Sequence, residues 1–373
     1  MIRKIAAFLA IAMTIAAMTA CSSNNQGRTT IKDGDKDITI IEPKTTTGSE
    51  ELRVEKIEEY KDIRALDWQD EDRLLVSKKN TNVDKISVEG EQFHPNNLYI
   101  LDTNDGEYKI LNEERANQLF AEFSPDKKHI FYKTNNEETA RGYIMDSQGK
   151  NVVSITGDKT IHFSAGKWID NERVIYADFN NTVYEGDVSG KIVEIANLGP
   201  ESTNKSIAMG EAFYYTVSSV FRNGDELYFL TSDLDLKKYN LVSKETGLLD
   251  RNVLKIYPSK DFNKIAYVKM TEDQEVKLIV ADLNFNKKTL AEGMAISEAA
   301  WSPDGTRLVY SVVKEASEEN GIYLSDLKTE KTSRISLFDG IIGFGWSPSG
   351  RKISVCRYDK DYNFLSNIII LNN

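Results

Sequence analysis

The chain has 373 residues, 40% of them hydrophobic and 28% charged, with a formal net charge of −11. That balance argues against nucleic acid as a partner, because phosphate binding needs concentrated positive charge. Seventeen tyrosines, fifteen phenylalanines and four tryptophans, set against only seven prolines, favour an all-β chain.

Residues 1–20 read as a targeting signal peptide. Arg3 and Lys4 form a basic start, and Ile5 to Ala17 is an apolar run. That run is too short for a comfortable transmembrane helix and suits a secretory signal. Met18-Thr19-Ala20-Cys21 resembles a bacterial lipobox, with Met18 where a leucine is usual. The resemblance implies cleavage before Cys21 and its diacylation, and two acyl chains suffice for stable membrane anchoring. An ordinary cleaved signal with a chance cysteine is the alternative. Loss of Arg3 and Lys4 would take the net charge to −13. Residues 21–50 are polar and read as a flexible tether that carries the lipidated Cys21. Asp33-Gly34-Asp35-Lys36-Asp37 looks superficially like a calcium loop. It lacks the terminal Glu of the full pattern, so solvated linker is expected there and no metal. No second apolar segment is long enough to span a membrane. The remaining cysteine, Cys356, falls inside a strand pattern and is expected to be a buried, inert thiol.

Residues 51–373 repeat. Trp301-Ser302-Pro303-Asp304-Gly305-Thr306-Arg307 returns 45 residues later as Trp346-Ser347-Pro348-Ser349-Gly350-Arg351-Lys352. Each copy reads as strand, tight turn, strand. Proline pre-sets φ within the turn, and glycine accepts the positive φ needed to re-enter a hairpin. The aromatic or apolar residue closing strand one recurs at Trp68, Phe123, Trp168, Phe221, Tyr257, Trp301 and Trp346, at intervals of 55, 45, 53, 36, 44 and 45 residues. Strand two is expected to open at Arg73, His129, Arg173, Glu226, Lys264, Arg307 and Lys352. An independent register, the Asp or Asn ending strand three, gives Asp102, Asp146, Asp187, Asn240, Asp282, Asp326 and Asn372. These side chains suit the slot because they bond the local backbone. Both registers count seven, near the period of four-stranded propeller blades. Both lengthen before the fourth repeat, which places an insertion near 200–216. The last repeat has three strands only, so an N-terminal strand near Leu52–Ile57 is expected to supply its outer edge. The expected fold is a seven-bladed β-propeller of four-stranded antiparallel blades, closed by that strand.

The Trp/Phe-Ser-Pro-Asp motifs at 301–305 and 123–126, with Trp346–Gly350, resemble the repeats of TolB-type propellers, also called WD40-like or PD40 repeats. The Gly-His and Trp-Asp signatures of WD40 repeats proper are missing. The resemblance implies a bacterial propeller in which lipoproteins, periplasmic protein-binding scaffolds and peptidase-linked propellers are all represented. No peptidase domain is expected beside the propeller.

Strand alternation puts the strand 1–2 turns and strand 3–4 hairpins on one face, the turn face. The strand 2–3 loops and inter-blade connections share the other, the loop face. Length varies on the loop face, at Lys78–Asn97, Thr134–Arg141, Lys314–Asn320, Arg357–Ser366 and the insertion, so recognition is expected there. Candidate partner-binding residues are Phe93, His94, Phe213, Tyr214, Tyr215, Tyr358, Tyr362 and Phe364, because aromatics beside polar groups make good anchors. The competing reading is that they cap the ends of the blades. The three histidines, His94, His129 and His162, have no partners at metal-ligand spacing. Gly-x-Ser-x-Gly, His-Glu-x-x-His and Gly-Lys-Ser/Thr motifs are lacking. The expected protein is therefore a monomeric, lipid-anchored, extracytoplasmic propeller that binds an envelope protein without catalysis or cofactor. The alternative is a glycan- or peptide-processing hydrolase or lyase with its site in the central channel.

Overall fold

The structure is a computed structural model that describes residues 28–33, 36–41, 53–88, 90–136, 139–199 and 216–372. The signal segment, Cys21 and Phe213–Tyr215 lie outside the described residues. The chain divides into two compact units, Met1–Glu51 and Leu52–Asn373. In the first unit, β1 (Arg28–Asp33) and β2 (Lys36–Ile41) form an antiparallel pair, within the stretch read as tether.

The second unit is a seven-bladed propeller of four-stranded antiparallel blades. Strand two opens where the turn chemistry places it, at Arg73, His129, Arg173, Glu226, Lys264, Arg307 and Lys352. The cause is a local hydrogen-bond set. In the sixth blade the Ser302 carbonyl accepts the Gly305 N–H at 2.9 Å, while Ser302 Oγ accepts Arg307 N–H at 2.9 Å and donates to Asp304 at 2.6 Å. Ser124/Asp126 and Ser259/Asp261 repeat it. The position held by Gly305 has positive φ in the second, fifth, sixth and seventh blades, but Lys127 and Phe262 occupy it in the second and fifth. Strand three ends on the expected Asp or Asn in the first six blades. Each of those side chains accepts a backbone N–H from the hairpin it opens, as Asp102 does from Asn104 at 2.9 Å.

The fourth blade departs from the pattern. Its first strand runs two residues past Phe221 to Asn223, then turns through Gly224 at φ +59°. In the second and seventh blades, strands two and three run on as hairpins beyond the expected loop boundaries. Asn136 pairs with Thr139, so within the expected loop Thr134–Arg141 the described residues 134–136 and 139–141 are strand. Tyr358 pairs with Phe364 for the same reason. Backbone pairing needs no buried side chain, so polar strand ends read as loop in the sequence.

The core lies between blades. Seven apolar clusters fill the seven interfaces, each mixing side chains from two neighbouring sheets. A latch recurs across them. Trp168, Trp301 and Trp346 donate their indole N–H to the backbone of the preceding blade, at Glu122, Tyr257 and Ala300, over 2.9–3.2 Å. The cation opening strand two of the preceding blade then covers the ring. Lys264 lies 5.9 Å above Trp301 and Arg307 lies 5.3 Å above Trp346. These cations also reach the next turn, at Gly305 and Gly350. The repeat motif is thus the fastening between blades.

The ring closes as the sequence predicts. Val54–Lys61 pairs antiparallel with Phe364–Leu371, from Val54↔Leu371 to Lys61↔Leu365, as the outer strand of the last blade.

Charge clasps add to the fastening. Asp250 ends the outer strand of the fourth blade and accepts hydrogen bonds from Lys287 and Tyr267 of the fifth at 2.8 Å, and from Lys269. Burial alone would raise this carboxyl, but the hydrogen bonds outweigh it and hold its pKa at about 2. An unfolded aspartate titrates near ~3.9. The folded value is depressed, so the stabilisation is complete above about pH 4 and is lost as pH falls towards 2. Asp250→Asn is expected to lose less melting temperature between pH 4 and pH 2 than the parent protein. Equal losses would show that the clasp contributes nothing.

Candidate functional site

Two features rise above the scaffold: the loop face and the central channel.

The loop face gathers the apolar surface. Twelve large hydrophobic side chains among the described residues are exposed, and seven of them, Phe163, Phe179, Met294, Val313, Leu337, Tyr358 and Tyr362, lie there. Of the other five, Val152 and Val242 are in strand 3–4 turns, and Ile57, Val193 and Leu248 are on outer strands. Backbone hydrogen bonds join two pairs among the segments that carry the seven. Met294 donates its N–H to the Val313 carbonyl at 2.7 Å, joining the fifth-to-sixth connection to the sixth blade's loop. Tyr358 donates to Gly340 at 3.2 Å, joining the segment that carries Leu337 to the seventh blade's loop. Tyr362, at φ +60°, stands on a turn held by Asp359, which accepts the N–H groups of Asp361 and Asn363 at 2.9 Å. Its ring is 85% exposed, and Leu337 and Met294 are 70% and 64% exposed.

Tyr358 and Tyr362 are therefore displayed as expected, and three other candidates are not. Phe93 is half-buried in a small hairpin, Ile86–Val88 with Glu91–Phe93. His94 Nδ1 lies 2.9 Å from the Val83 carbonyl, pinning that long loop on itself. Phe364 is half-buried in a strand, stacked on Tyr358 at 5.4 Å. These three fit the capping reading. Phe163, Phe179, Met294, Val313 and Leu337 are not evident in the sequence reading. Each is a single apolar residue just beyond a strand end, and only its position in a strand 2–3 or inter-blade segment could have marked it.

The channel is a cavity of about 640 Å³ lined by the inner strands of every blade but the fourth. The lining is rich in aromatics, among them Phe120, Phe123, Trp168, Trp301, Phe344 and Trp346. Three carboxylates face it and each has a cation: Asp67 with Lys127 at 3.2 Å, Glu122 with Lys167 at 3.0 Å, and Glu298 with Lys255 at 2.6 Å. Arg64 also lines it, half-buried, its guanidinium 5.7 Å from the centre of the Phe364 ring. Behind the wall, Lys133 is fully buried. Its Nζ donates to the Ala165 carbonyl at 2.8 Å and to that of Phe163, and lies 3.8 Å from the centre of the Phe120 ring. Burial, then the neighbouring Lys167, pulls its pKa well below that of an ordinary lysine. Lys133 thereby holds the connection that displays Phe163. Cys356 also borders the channel but is buried, and burial raises its thiol pKa, which suits an inert thiol. Among the described residues no group of three or more His, Cys, Asp or Glu side chains is placed to hold a metal ion. Among them too, no helix is long and apolar enough to cross a membrane.

No family model matches the chain. It is 31% identical over 118 residues to the Tol-Pal system protein TolB of Francisella tularensis subsp. mediasiatica, covering 29% of this chain and 26% of that protein. The match to the curated relatives thus spans about a quarter of their length. The expected resemblance to TolB-type propellers is borne out. Among solved structures, an oligogalacturonate lyase in complex with manganese superposes with a TM-score of 0.56 at 12% identity, over 93% of this chain and 96% of that one. The oligogalacturonate lyase of Vibrio parahaemolyticus gives 0.57 at 12% identity, over 92% and 96%. At such identity the likeness is one of fold.

Proposed function

We propose that this chain is an extracytoplasmic propeller, anchored to a bacterial membrane through a lipidated Cys21, that binds an envelope protein through its loop face without catalysing a reaction. The concentration of exposed apolar side chains on that one face carries the reading. Clustered apolar groups on a rigid scaffold gain by being covered, whereas the same groups scattered singly need no explanation. The likeness to TolB over part of the chain supports an envelope setting.

Lysine-directed cross-linking in native membranes, read by mass spectrometry, tests it. Lys314 and Lys360 sit in loop-face segments, whereas Lys150, Lys191 and Lys328 sit in strand 3–4 turns. One envelope protein is expected to cross-link at the first pair, and the yield should fall in a Leu337→Ser, Tyr362→Ser double variant. Cross-links confined to the turn-face lysines, or no protein recovered above a secreted Cys21→Ala control, would overturn the reading.

A further inference from the structure

The cations lining the channel outnumber its carboxylates, and among the described residues Arg64 and Lys260 are left without an ion pair. Arg64, Lys133 and Lys167 come from three successive blades on one side of the channel, where Lys167 pairs with Glu122. Arg64, Glu122 and Lys167 line the same cavity, and Lys133 lies buried behind its wall. The Lys133 and Lys167 ammonium groups share one aromatic neighbour, lying 3.8 and 5.7 Å from the centre of the Phe120 ring. In a chain of net charge −11 this is a local positive spot set in low-dielectric walls, where fields act strongly.

Two groups in it are incomplete. The Arg64 guanidinium makes no hydrogen bond or ion pair among the described residues, although it carries five donors. The Glu122 Oε1 atom is buried with no hydrogen-bond partner, while its Oε2 is taken by Lys167. An unfilled guanidinium suits a carboxylate or phosphate, which it can bind through two parallel hydrogen bonds. The Glu122 side chain is 21% exposed and lines the cavity, and its carboxylate suits a hydroxyl or amide donor.

We propose that the central channel binds a small hydroxylated anion. Its carboxylate or phosphate group is held by Arg64 with Lys167, and a hydroxyl donates to Glu122. The site is separate from the loop-face surface and does not rest on the protein-binding reading. It is a binding site, with no bond made or broken. Phe120 and Phe344 give the ligand body apolar walls to lie against.

Trp168, Trp301 and Trp346 border the channel, so their fluorescence reports occupancy directly. The full chain is titrated with galacturonate, with galactose 6-phosphate and with uncharged galactose, each at constant ionic strength set with chloride. Saturable quenching by either anion, but not by galactose, is the expected result. Which anion binds more tightly separates the carboxylate from the phosphate source. Arg64→Met is expected to weaken that binding roughly tenfold or more, the scale of a charge-assisted contact, and Arg64→Lys to weaken it less. Lys191→Met, in a strand 3–4 turn of the third blade, should leave it unchanged. Circular dichroism melting checks that each variant folds, and Lys167→Met replaces any that does not. No saturable response to either anion, equal binding of galactose, or full affinity retained in folded Arg64→Met or Lys167→Met protein would overturn the proposal.

Discussion

Deletion of residues 53–61 is expected to lower the melting temperature by about 10 °C or more, or to leave the chain insoluble. The strand Val54–Lys61 is paired along its whole length with Phe364–Leu371 and is the outer edge of the last blade. Losing it strips the hydrogen bonds of that ladder, each contributing on the order of 1 kcal/mol. It also removes Val54 from the cluster between blades six and seven, and Tyr60 from the cluster between blades seven and one. Beyond it, Asn372 donates its N–H to the Arg53 carbonyl at 2.9 Å, and its side chain accepts the Arg53 N–H at 2.5 Å. The deletion would leave Phe364–Leu371 as an open edge, with Ile368 and Ile369 buried now at 1% and 0% exposure. Unpaired apolar edges template aggregation. Thermal melting followed by circular dichroism, with deletion of residues 44–50 as the control, decides the matter. A melting temperature equal to the control's would mean that the ring holds without its closing strand.

The sequence showed the ring and hid what the ring encloses. The start of every second strand was legible because it depends on short-range chemistry. A Ser or Asp side chain bonds backbone two to five residues away, and that leaves a pattern such as Ser302-Pro303-Asp304-Gly305. The blade count follows from repetition of that pattern. Arg64, Glu122, Lys133 and Lys167 left no comparable trace. They are brought together by the packing of the first three blades side by side, and no local spacing encodes it. The loop face was half legible. Strand alternation separates the two faces, yet the rule of aromatics near charges favours Phe93 and Phe364, which are half-buried. It also passes over Met294 and Leu337, which stand out in solvent. Burial of a single side chain depends on neighbours distant in sequence, so a residue's chemistry alone does not settle it.

The latch tryptophan at the seam where the two ends of the ring meet should be the most costly to remove. Trp68 is fully buried and sits in the cluster with Ile63, Leu74, Val76, Leu101 and Ile368, shared by the first and last blades. Here the latch changes partner. The indole N–H donates to Ser354 Oγ at 3.2 Å, a side chain of the preceding blade, where Trp301 and Trp346 use backbone carbonyls. Lys352 lies 5.8 Å above the ring and donates to the Glu71 carbonyl at 2.6 Å, keeping the cation of the motif. Trp68→Ala is expected to destabilise the propeller by roughly 3–5 kcal/mol, because the cavity it opens lies between two sheets already at packing density. Trp68→Phe keeps most of the volume and should cost less. Ser354→Ala loses only the hydrogen bond, on the order of 1 kcal/mol. Urea unfolding of the three variants should give that order. If Trp68→Ala cost no more than Ser354→Ala, the indole would be filling space the blades could close without it. Stability would then lie in the strand ladders rather than in the motif that repeats around the ring.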